Sequence, residues 1–230
     1  ISFLLHMSKT RTRFAPSPTG SLHIGSLRTI LFAYAIAKVN KGKFILRVED
    51  TDQARKVEGS IEAMIDIVKW LGFEFDEGPH VGGNSGPYTQ SERLDIYKKH
   101  ADKLVSEGKA YKCFCTSERL KEMRDEQQTQ KLPPRYDRKC LHLSEEEIQK
   151  KLDAGESYVI RQKMPEEGTV EVLDELRGEI EFPAKDLDDQ VLMKTDGYPT
   201  YQLAVVVDDY LMKISHVVRG EEWIPSFPKN

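Results

Sequence analysis

The order of apolar and polar positions predicts strands and helices in alternation over the first half of the chain. Short apolar runs predict three strands, at 11–15, 43–48 and 110–114. Apolar positions three and four residues apart predict three helices, at about 23–40, 58–71 and 91–107. Because strands that alternate with helices form parallel sheets covered by those helices, we expect an α/β fold with a doubly wound parallel sheet.

The pattern changes after Cys113. Residues 116–157 are highly charged, with helical stretches at 117–125 and 144–152. Four segments with the sequence pattern of strands follow, at 158–162, 169–173, 178–182 and 190–193. Alternation resumes with a helix near 200–209 and a strand at 214–218. We interpret the middle region as an α+β insertion that interrupts the sheet.

Composition and charge narrow the class of protein. The 230 residues are 39% hydrophobic and 31% charged, which is typical of a globular protein with one or two domains. The net charge of −4 gives no overall basic field, so an RNA partner would require local basic patches. No apolar stretch has the length of a membrane span. Three cysteines without an export signal predict a cytoplasmic protein, and we interpret residues 1–6 as a leader before a native initiator, Met7.

The segment RFAPSPTGSLHIGS, residues 13–26, carries the first candidate site. Its two prolines fix the backbone, Gly20 permits conformations that other residues resist, and a helix begins near His23. A strand, a tight turn and a helix N-terminus form an anion-binding geometry, because unpaired N–H groups and the helix dipole face the same point. His23 adds an imidazole there, and Gly25 leaves room for a flat ligand. The alternative is an ordinary strand–loop–helix stiffened by prolines.

This segment resembles the first signature of class I aminoacyl-tRNA synthetases, His-Ile-Gly-His, and RFAPSPTG resembles the glutamyl branch of that family in particular. Ser26 stands where the signature has its second histidine, a position that varies in the glutamyl branch. The resemblance implies a Rossmann-like catalytic domain. It also implies catalytic roles for His23, Gly25 and Ser26, and ATP binding by Pro16, Thr19, Gly20, His23 and Gly25.

A cluster of carboxylates, Glu49, Asp50 and Asp52, follows the second predicted strand. Open α/β sheets bind ligands at the carboxyl ends of their strands, where carboxylates suit an ammonium group or a metal ion. A solvated acidic turn is the alternative. The resemblance assigns Glu49 to the α-amino group of the substrate.

The segment KTDGYPTYQLAVVVDDYLMKISHVVRGEEW, residues 194–223, resembles the part of glutamyl synthetases that closes the amino-acid pocket. The tyrosine and arginine of that pocket correspond to Tyr201 and Arg219. Glutamate has two carboxylates, and Arg13 and Arg219 would supply two guanidinium groups that bind them bidentately. Some relatives have an asparagine where this chain has Val205. The whole predicted glutamate set is Arg13, Ala15, Ser17, Glu49, Tyr201, Val205 and Arg219. The alternative is that Tyr201 and Arg219 only cap the core.

A candidate metal site is formed by Cys113-x-Cys115 and, further along the chain, Cys140-x-His142. Two such pairs match a tetrahedral Cys₃His zinc site with all four positions filled by protein, the form of a structural metal. Some glutamyl synthetases have a similar spacing, whereas truncated tRNA-modifying relatives use a nearer tyrosine and cysteine. Tyr136 could therefore replace His142 as the fourth ligand. Free buried cysteines are the alternative.

A basic cluster lies beside the predicted zinc site and consists of Lys131, Arg135, Arg138 and Lys139. These side chains would contact phosphates of a tRNA acceptor end, unless they form an ordinary solvated face. The resemblance divides the chain into a leader or cloning remnant at 1–10, the first half of the catalytic domain at 11–112, an inserted zinc-binding and acceptor-end-binding domain at 113–187, and the second half of the catalytic domain at 188–230.

The resemblance implies an enzyme that activates L-glutamate with ATP and Mg²⁺ and transfers it to the 3′ end of tRNA(Glu), acting as a monomer away from membranes. We find no Lys-Met-Ser-Lys-Ser signature and no anticodon-binding domain, so we expect a catalytic fragment that is impaired in adenylate formation. Three alternatives remain. The C-x-C and C-x-H spacing disfavours a paralogue that glutamylates a modified anticodon base of tRNA(Asp). Arg13, Arg219 and His23 disfavour a non-catalytic RNA- or nucleotide-binding module, and RFAPSPTG disfavours a general nucleotidyltransferase.

Overall fold

A computed structural model of the chain describes residues 9–20, 22–55 and 57–230. The predicted leader at 1–6 and the initiator Met7 lie outside the described residues.

Two compact units make up the chain. Among the described residues, the first comprises those from 9 to 94 together with 204–224, and the second comprises 95–203 together with 225–230. The segments 95–112 and 188–203, which we expected in the two halves of the catalytic domain, are therefore part of the second unit.

The first unit is built on two parallel strands joined by a helix. Strand β1 (Arg11–Phe14) pairs with β2 (Lys43–Leu46), and helix α1 (Ile24–Val39) connects them. Single parallel bridges from Ile45 to Glu77 and from Val48 to Thr89 continue the sheet beyond β2. The predicted parallel pairing is confirmed for these strands. Helix α2 (Ser60–Trp70) follows, close to its predicted position.

Helix α1 packs against the sheet through small and branched side chains. Ile30, Ala33 and Ala37 are fully buried, and they belong to a core that includes Phe14 and Phe44. Full burial of a large apolar side chain contributes about 1.5–3 kcal/mol. This core therefore fixes where α1 begins relative to the end of β1.

A buried carboxylate, Glu77, ties the strands of the first unit together. Arg11 Nη1 and Nη2 donate to its two oxygens at 2.8 and 2.9 Å, Lys43 Nζ donates at 2.7 Å, and Tyr88 Oη donates at 2.6 Å. The hydrogen bonds from Arg11, followed by those from Lys43 and Tyr88, lower the pKa of Glu77 to about 2. Glu77 is therefore charged at neutral pH and balances two cations.

The strand predicted at 214–218 is wrong. This segment lies beside β1, but the backbone N–H groups of Ser215 and His216 both donate to the carbonyl oxygen of Arg11, at 2.9 and 3.2 Å. A parallel ladder requires donors that alternate along the strand. Two consecutive donors to one carbonyl cannot continue as a strand.

The second unit contains a three-stranded antiparallel sheet and a hairpin. Strand β3 (Ala110–Cys113) pairs with β4 (Val159–Gln162), β5 (Thr169–Asp174) pairs with β6 (Gly178–Pro183), and β7 (Val191–Met193) pairs with the other edge of β4. The prediction that 110–114 continues the parallel sheet is therefore wrong. β3 pairs with β4, which follows it by more than 40 residues, and both strands belong to the second unit.

Four further helices complete the fold. They are α3 (Leu94–Ser106), which follows a 3₁₀ turn at Gln90–Arg93, α4 (Ser117–Thr129), α5 (Glu145–Asp153) and α6 (Tyr201–Leu211). Ser144 caps α5 through a capping box with Glu147, so the side chains that start this helix are local in sequence. Among the described residues, none of the helices combines the length and the apolarity that crossing a bilayer requires.

Candidate active site and metal centre

Helix α1 begins where the sequence predicts, directly after His23. The exposed His23 is the N-cap, and its Nδ1 accepts a hydrogen bond from the backbone N–H of Gly25 at 3.2 Å. A Cβ on Gly25 would lie 3.0 Å from His23 Cε1, so the glycine gives the imidazole room to cap the helix. An Nδ1 that accepts places the ring proton on Nε2, which is left to donate to a ligand.

The other predicted nucleotide-binding residues flank this helix start. Gly20 has φ of 145°, which favours glycine, and Pro16 and Thr19 lie in the same turn. Ser26 lies in the first turn of α1, which contains no acidic side chain. No carboxylate in this turn would therefore repel an anion from the positive end of the helix dipole.

The turn between β1 and α1 runs along the continuation of β2. The backbone N–H of Arg47 donates to the carbonyl of Phe14 at 3.0 Å, and that of Glu49 donates to the carbonyl of Pro16 at 2.9 Å. The flanking residues Ala15 and Ser17, predicted to bind glutamate, therefore lie beside this segment. Strand pairing thus brings the first predicted motif against the carboxylate motif.

Four charged side chains form what we call the ionic network: Arg13, Asp209, Arg47 and Glu49. Arg13 Nε and Nη2 donate to the two carboxylate oxygens of Asp209 at 2.9 and 3.2 Å. Arg47 Nη1 donates to Asp209 Oδ1 at 2.6 Å, and Arg47 Nε and Nη2 donate to Glu49 Oε1 at 3.2 and 2.9 Å. Arginines and carboxylates alternate, so each charge has an opposite neighbour.

The pKa values of the ionic network follow from burial and from this alternation. Burial alone would lower the pKa of the Arg47 guanidinium, but the charges of Glu49, Asp209 and Asp208 hold it above its ordinary value. Burial alone would raise the pKa of Asp209, but Arg47 and Arg13 hold it below its ordinary value. Arg47 and Asp209 are therefore both charged at neutral pH.

Two atoms of the ionic network are left for a ligand. Arg13 uses Nε and Nη2, and its Nη1 donates to no other residue in the part of the chain that the structure describes. Glu49 uses Oε1, and its Oε2 likewise accepts from none of the described residues. Arg47, by contrast, has all three nitrogens engaged and is 0% exposed. The network thus offers one cationic donor and one anionic acceptor.

The remaining predicted glutamate residues take different positions. Val205 lies on α6 and is 1% exposed, so its side chain is buried within the protein. Arg219 lies in the first unit with its guanidinium carbon 5.6 Å from the ring centroid of Trp223. Tyr201 is the first residue of α6 and belongs to the second unit. The joint action of Arg13, Tyr201 and Arg219 on one ligand stays a prediction.

Asp50, a member of the predicted carboxylate cluster, contacts Ser91, which lies 41 positions further along the chain. Its two carboxylate oxygens accept from the backbone N–H and the hydroxyl of Ser91, each at 2.8 Å. Asp50 thus holds the 3₁₀ turn that precedes α3. Within this cluster, Glu49 is the residue whose carboxylate joins the ionic network.

Sequence reasoning missed Arg47 and Asp209. A signal for Arg47 was present, since a charged residue stands inside the apolar run KFILRV, where a buried partner is required. Asp209 is one of two consecutive aspartates on α6, and neither its spacing nor its neighbours indicates that it faces Arg13.

In the second unit, three thiols and a phenol form what we call the sulfur cluster: Cys113, Cys115, Cys140 and Tyr136. The three sulfurs lie within 4.8 Å of one another, with Cys115 and Cys140 3.6 Å apart. Tyr136 Oη lies 3.2 Å from the sulfur of Cys113 and 3.3 Å from that of Cys115. All three cysteines are free thiols.

The donor set and its spacing fit a tetrahedral zinc ion. Sulfurs about 2.3 Å from zinc at tetrahedral corners lie about 3.8 Å apart, and an oxygen ligand lies about 3.5 Å from each sulfur. The Cys115–Cys140 distance of 3.6 Å and the Tyr136 contacts at 3.2 and 3.3 Å are close to these values.

His142 is not part of the sulfur cluster. It is exposed, and the metal-ligating groups found among the described residues unite the three cysteines without it. Cys140 and His142 both lie in the 3₁₀ turn Lys139–His142, where residues three apart share a face and residues two apart do not. Of the two candidates for the fourth ligand, the contacts favour Tyr136.

Shared protons shift the pKa values inside the sulfur cluster. Hydrogen bonding with Cys140, followed by that with Tyr136, holds the pKa of the Cys113 thiol below its ordinary value. Burial, together with the bond to Cys113, raises the pKa of Tyr136.

Two of the predicted phosphate-binding arginines have partners within the second unit. Arg135 donates to the carbonyl oxygens of Lys185 and Leu187. Arg138 donates to Asp189 Oδ1 at 2.7 Å and to the carbonyl of Met164 at 2.8 Å. These contacts brace the loop that carries Tyr136, so the basic cluster does not present four free cations.

Comparison with known proteins identifies relatives over nearly the whole chain. The family described as "tRNA synthetases class I (E and Q), catalytic domain" matches residues 9–230. The glutamate–tRNA ligase of Pseudomonas savastanoi pv. phaseolicola is 58% identical over 223 residues, 97% of this chain and 45% of that protein. The glutamate–tRNA ligase of Fusobacterium nucleatum is 56% identical over 96% of this chain and 44% of that protein. The chain thus spans less than half the length of these curated relatives.

A solved structure has the same fold. It is the crystal structure of a glutamate tRNA ligase from Elizabethkingia meningosepticum in complex with its amino acid, with a TM-score of 0.92 and 44% sequence identity. The match covers 96% of this chain and 45% of that one. The predicted Rossmann-like α/β fold class is confirmed.

Proposed function

Because this chain belongs to the class I tRNA synthetase family of glutamate and glutamine enzymes, as part of its catalytic domain, we propose that it activates L-glutamate with ATP and transfers it to tRNA(Glu). In the first step the glutamate carboxylate attacks the α-phosphate of ATP, and pyrophosphate leaves. In the second step a hydroxyl at the 3′ end of the tRNA attacks the glutamyl carbonyl of the adenylate, and AMP leaves. Neither step needs a covalent intermediate with the protein.

The ionic network is the observation that carries this proposal. An amino acid presents a cation and an anion a few ångströms apart, and the network leaves free one acceptor, Glu49 Oε2, and one donor, Arg13 Nη1. The ammonium group would bind Glu49, and the side-chain carboxylate of glutamate would bind Arg13. Asp209 and Arg47 hold these two groups in place before a ligand arrives, which lowers the ordering cost of binding.

The charge of Arg13 supports glutamate over glutamine. A guanidinium held at a buried site gains a charge-assisted hydrogen bond from a carboxylate, whereas the neutral amide of glutamine offers a weaker partner. Arg219 and Tyr201 would complete the pocket, with the backbone of Ala15 and Ser17 lining it.

The N-terminus of α1 would hold the nucleotide. Its N–H groups and dipole favour phosphate, and His23 Nε2 would donate a further hydrogen bond to the developing charge. Mg²⁺ would enter with ATP and be held mainly by its phosphates.

The sulfur cluster would hold a zinc ion through Cys113, Cys115, Cys140 and Tyr136. When bound, such a closed metal site supplies folding energy and no chemistry. The strands and helices of the second unit, including the acceptor-end contacts that we propose for it, would depend on that ion. We also propose that the enzyme acts in the cytoplasm as a monomer.

The test is ATP–pyrophosphate exchange by the full-length protein with glutamate or glutamine, with and without tRNA(Glu). We expect exchange with glutamate and none with glutamine. The Arg13→Ala variant should raise the KM for glutamate by roughly tenfold to a hundredfold, because a hydrogen bond to a charged group contributes about 1.5–3 kcal/mol. The KM for ATP should not change.

A matched control is Arg124→Ala, which removes an exposed arginine from α4 and should leave both constants unchanged. Unaltered glutamate affinity in Arg13→Ala would refute the pocket assignment.

One observation favours a second candidate. Tyr136 in the sulfur cluster is the feature that resembles the truncated paralogue that glutamylates an anticodon base. Trimming the 3′-terminal nucleotide from the tRNA distinguishes the two, because it removes the 3′ acceptor and leaves the anticodon base intact. Glutamylation of trimmed tRNA would establish the paralogue activity.

A further inference from the structure

A buried arginine lies against the sulfur cluster. Arg161, in the middle of the sheet on β4, is 5% exposed, and its guanidinium carbon lies 4.1 Å from the ring centroid of Tyr136. Its Nη1 donates to the carbonyl of Asp189 at 2.9 Å. Its Nε is buried and has no hydrogen-bond partner within the described residues.

This arginine differs from Arg138, a partly buried arginine of the same unit. Arg138 has two carboxylate partners, Glu166 and Asp189. Arg161 instead has a carbonyl, an aromatic face and the nearby thiol of Cys113, and it forms no ion pair with any residue that the structure describes. A buried cation with an unsatisfied N–H is costly unless an anion lies nearby. The neighbouring groups that become anionic on metal binding are the thiols and the phenol.

The charge of a loaded cluster supplies that anion. Three thiolates and one phenolate bring four negative charges against two positive charges on zinc, which leaves a net charge of −2. Two guanidinium groups face the cluster: Arg161 on the ring of Tyr136, and Arg119, whose Nη1 lies 3.4 Å from the sulfur of Cys115. Arg119 is also paired with Asp137, so Arg161 is the cation with no carboxylate to share.

We propose that Arg161 is a positioning residue for the metal centre: it stacks on Tyr136, directs the phenol oxygen at the sulfurs and balances the charge of the metal-bound phenolate. The proposal rests on the zinc site proposed above. Stacking fixes the plane of the ring, and the guanidinium places a positive charge beside the loaded cluster. A tyrosine, which is a less common zinc ligand than histidine, thereby becomes competent in this position.

The test measures zinc affinity by competition with a chromophoric chelator, using the whole chain under reducing conditions, and compares Arg161→Met with Arg161→Lys. Methionine keeps the apolar contact with the ring but removes the charge, and lysine restores the charge without the planar stack. We expect zinc affinity to fall roughly tenfold to a hundredfold in Arg161→Met, and less in Arg161→Lys. Cobalt substitution gives a second readout, since loss of the phenolate ligand should shift the visible bands of the tetrahedral Co²⁺ centre.

The control is Lys194→Met, which removes a cation 5.3 Å above the ring of Tyr198 in the same unit but outside the sulfur cluster. Its zinc affinity should equal that of the wild type. A double-mutant cycle with Tyr136→Phe separates positioning from a general effect on folding, because Arg161→Met should have little further effect once the phenol oxygen is gone.

The outcomes are distinct. Tight zinc binding that is equal in wild type and Arg161→Met overturns the role of Arg161 and leaves the metal site intact. A wild-type protein that is folded and binds no zinc overturns the metal site and this inference with it. If Arg161→Met lowers zinc affinity equally with and without the phenol oxygen of Tyr136, Arg161 does not act through Tyr136.

Discussion

The ionic network of the first unit and the sulfur cluster of the second unit are both groups of four polar side chains in largely buried surroundings, yet they balance charge differently. In the ionic network two arginines alternate with two carboxylates, so opposite charges neutralise one another within the protein. In the sulfur cluster every member is a neutral or anionic ligand, and the cations that face it come from outside, Arg161 and Arg119.

This difference determines whether each region would need a ligand or an ion from solution to hold its side chains in place. The ionic network is complete without a ligand and can hold Arg13 and Glu49 in a fixed arrangement while the pocket is empty. The sulfur cluster consists of metal-ligand donors alone, so with the zinc site proposed above its ordered form would depend on the ion. One region is preorganised by its own residues, and the other would be preorganised by a captured ion.

Removal of metal should have the largest effect and should be confined to the second unit. Binding of structural zinc contributes about 10–16 kcal/mol in small domains. We expect a strong chelator to abolish hydrogen-exchange protection at β3 and β4 while β1 and β2 stay protected. Exchange measured by mass spectrometry on peptides from both units provides the check.

Cys140→Ser without chelator should reproduce this result, since it removes one ligand from the sulfur cluster. Equal protection of both units after chelation would mean that the second unit folds without a metal. The comparison between the two regions would then fail.

Arg47→Met should have the next largest effect, and it should act on the first unit. Removing one partner from a buried ion pair costs about 3–5 kcal/mol, because the carboxylates of Glu49 and Asp209 lose their shared cation. Denaturant unfolding monitored at the first unit measures this free energy. Arg55→Met is the matched control: that arginine is 71% exposed in its pair with Asp52, and the expected change is less than about 1 kcal/mol.

The parts of these regions that the sequence predicts are those set by local pattern. The end of β1, the start of α1 at His23 and the capped start of α5 depend on residues within a few positions of one another. The three cysteines were found because their spacing matches a metal site.

The parts that the sequence does not predict depend on long-range or directional contacts. Asp209 meets Arg47 across 162 positions of the chain, and no periodicity relates the two. The contacts that favour Tyr136 over His142 depend on the direction in which a 3₁₀ turn presents its side chains. The strand predicted at 214–218 has the apolar composition of a strand, but its hydrogen bonds converge on one carbonyl.

Acid should lower the stability of the first unit through protonation of Glu77. The pKa of Glu77 is lowered from 4.5 to about 2 by Arg11, Lys43 and Tyr88. A lowered carboxyl pKa gives stability that is fully present above the ordinary value and is lost as the pH falls towards the folded value. We therefore expect the unfolding free energy of the wild type to decrease between pH 4.5 and 2.

The Glu77→Gln variant should have a smaller unfolding free energy than the wild type at neutral pH. Between pH 4.5 and 2 its unfolding free energy should change less with pH, because glutamine does not titrate. Unfolding midpoints at several pH values compare the two proteins. Parallel curves for wild type and variant would show that Glu77 does not carry this acid sensitivity.

His142→Ala should have the smallest effect, and for that reason it sharpens the comparison. If Tyr136 is the fourth ligand, the alanine variant binds zinc within about twofold of the wild type, whereas Tyr136→Phe binds it more weakly because a ligand is lost. The two variants change side chains six residues apart in one loop, so a general loss of packing would affect both. A large loss in His142→Ala together with none in Tyr136→Phe would restore the Cys₃His set. It would also remove the reason for a buried cation on the Tyr136 ring, since a neutral imidazole leaves the cluster with one negative charge fewer.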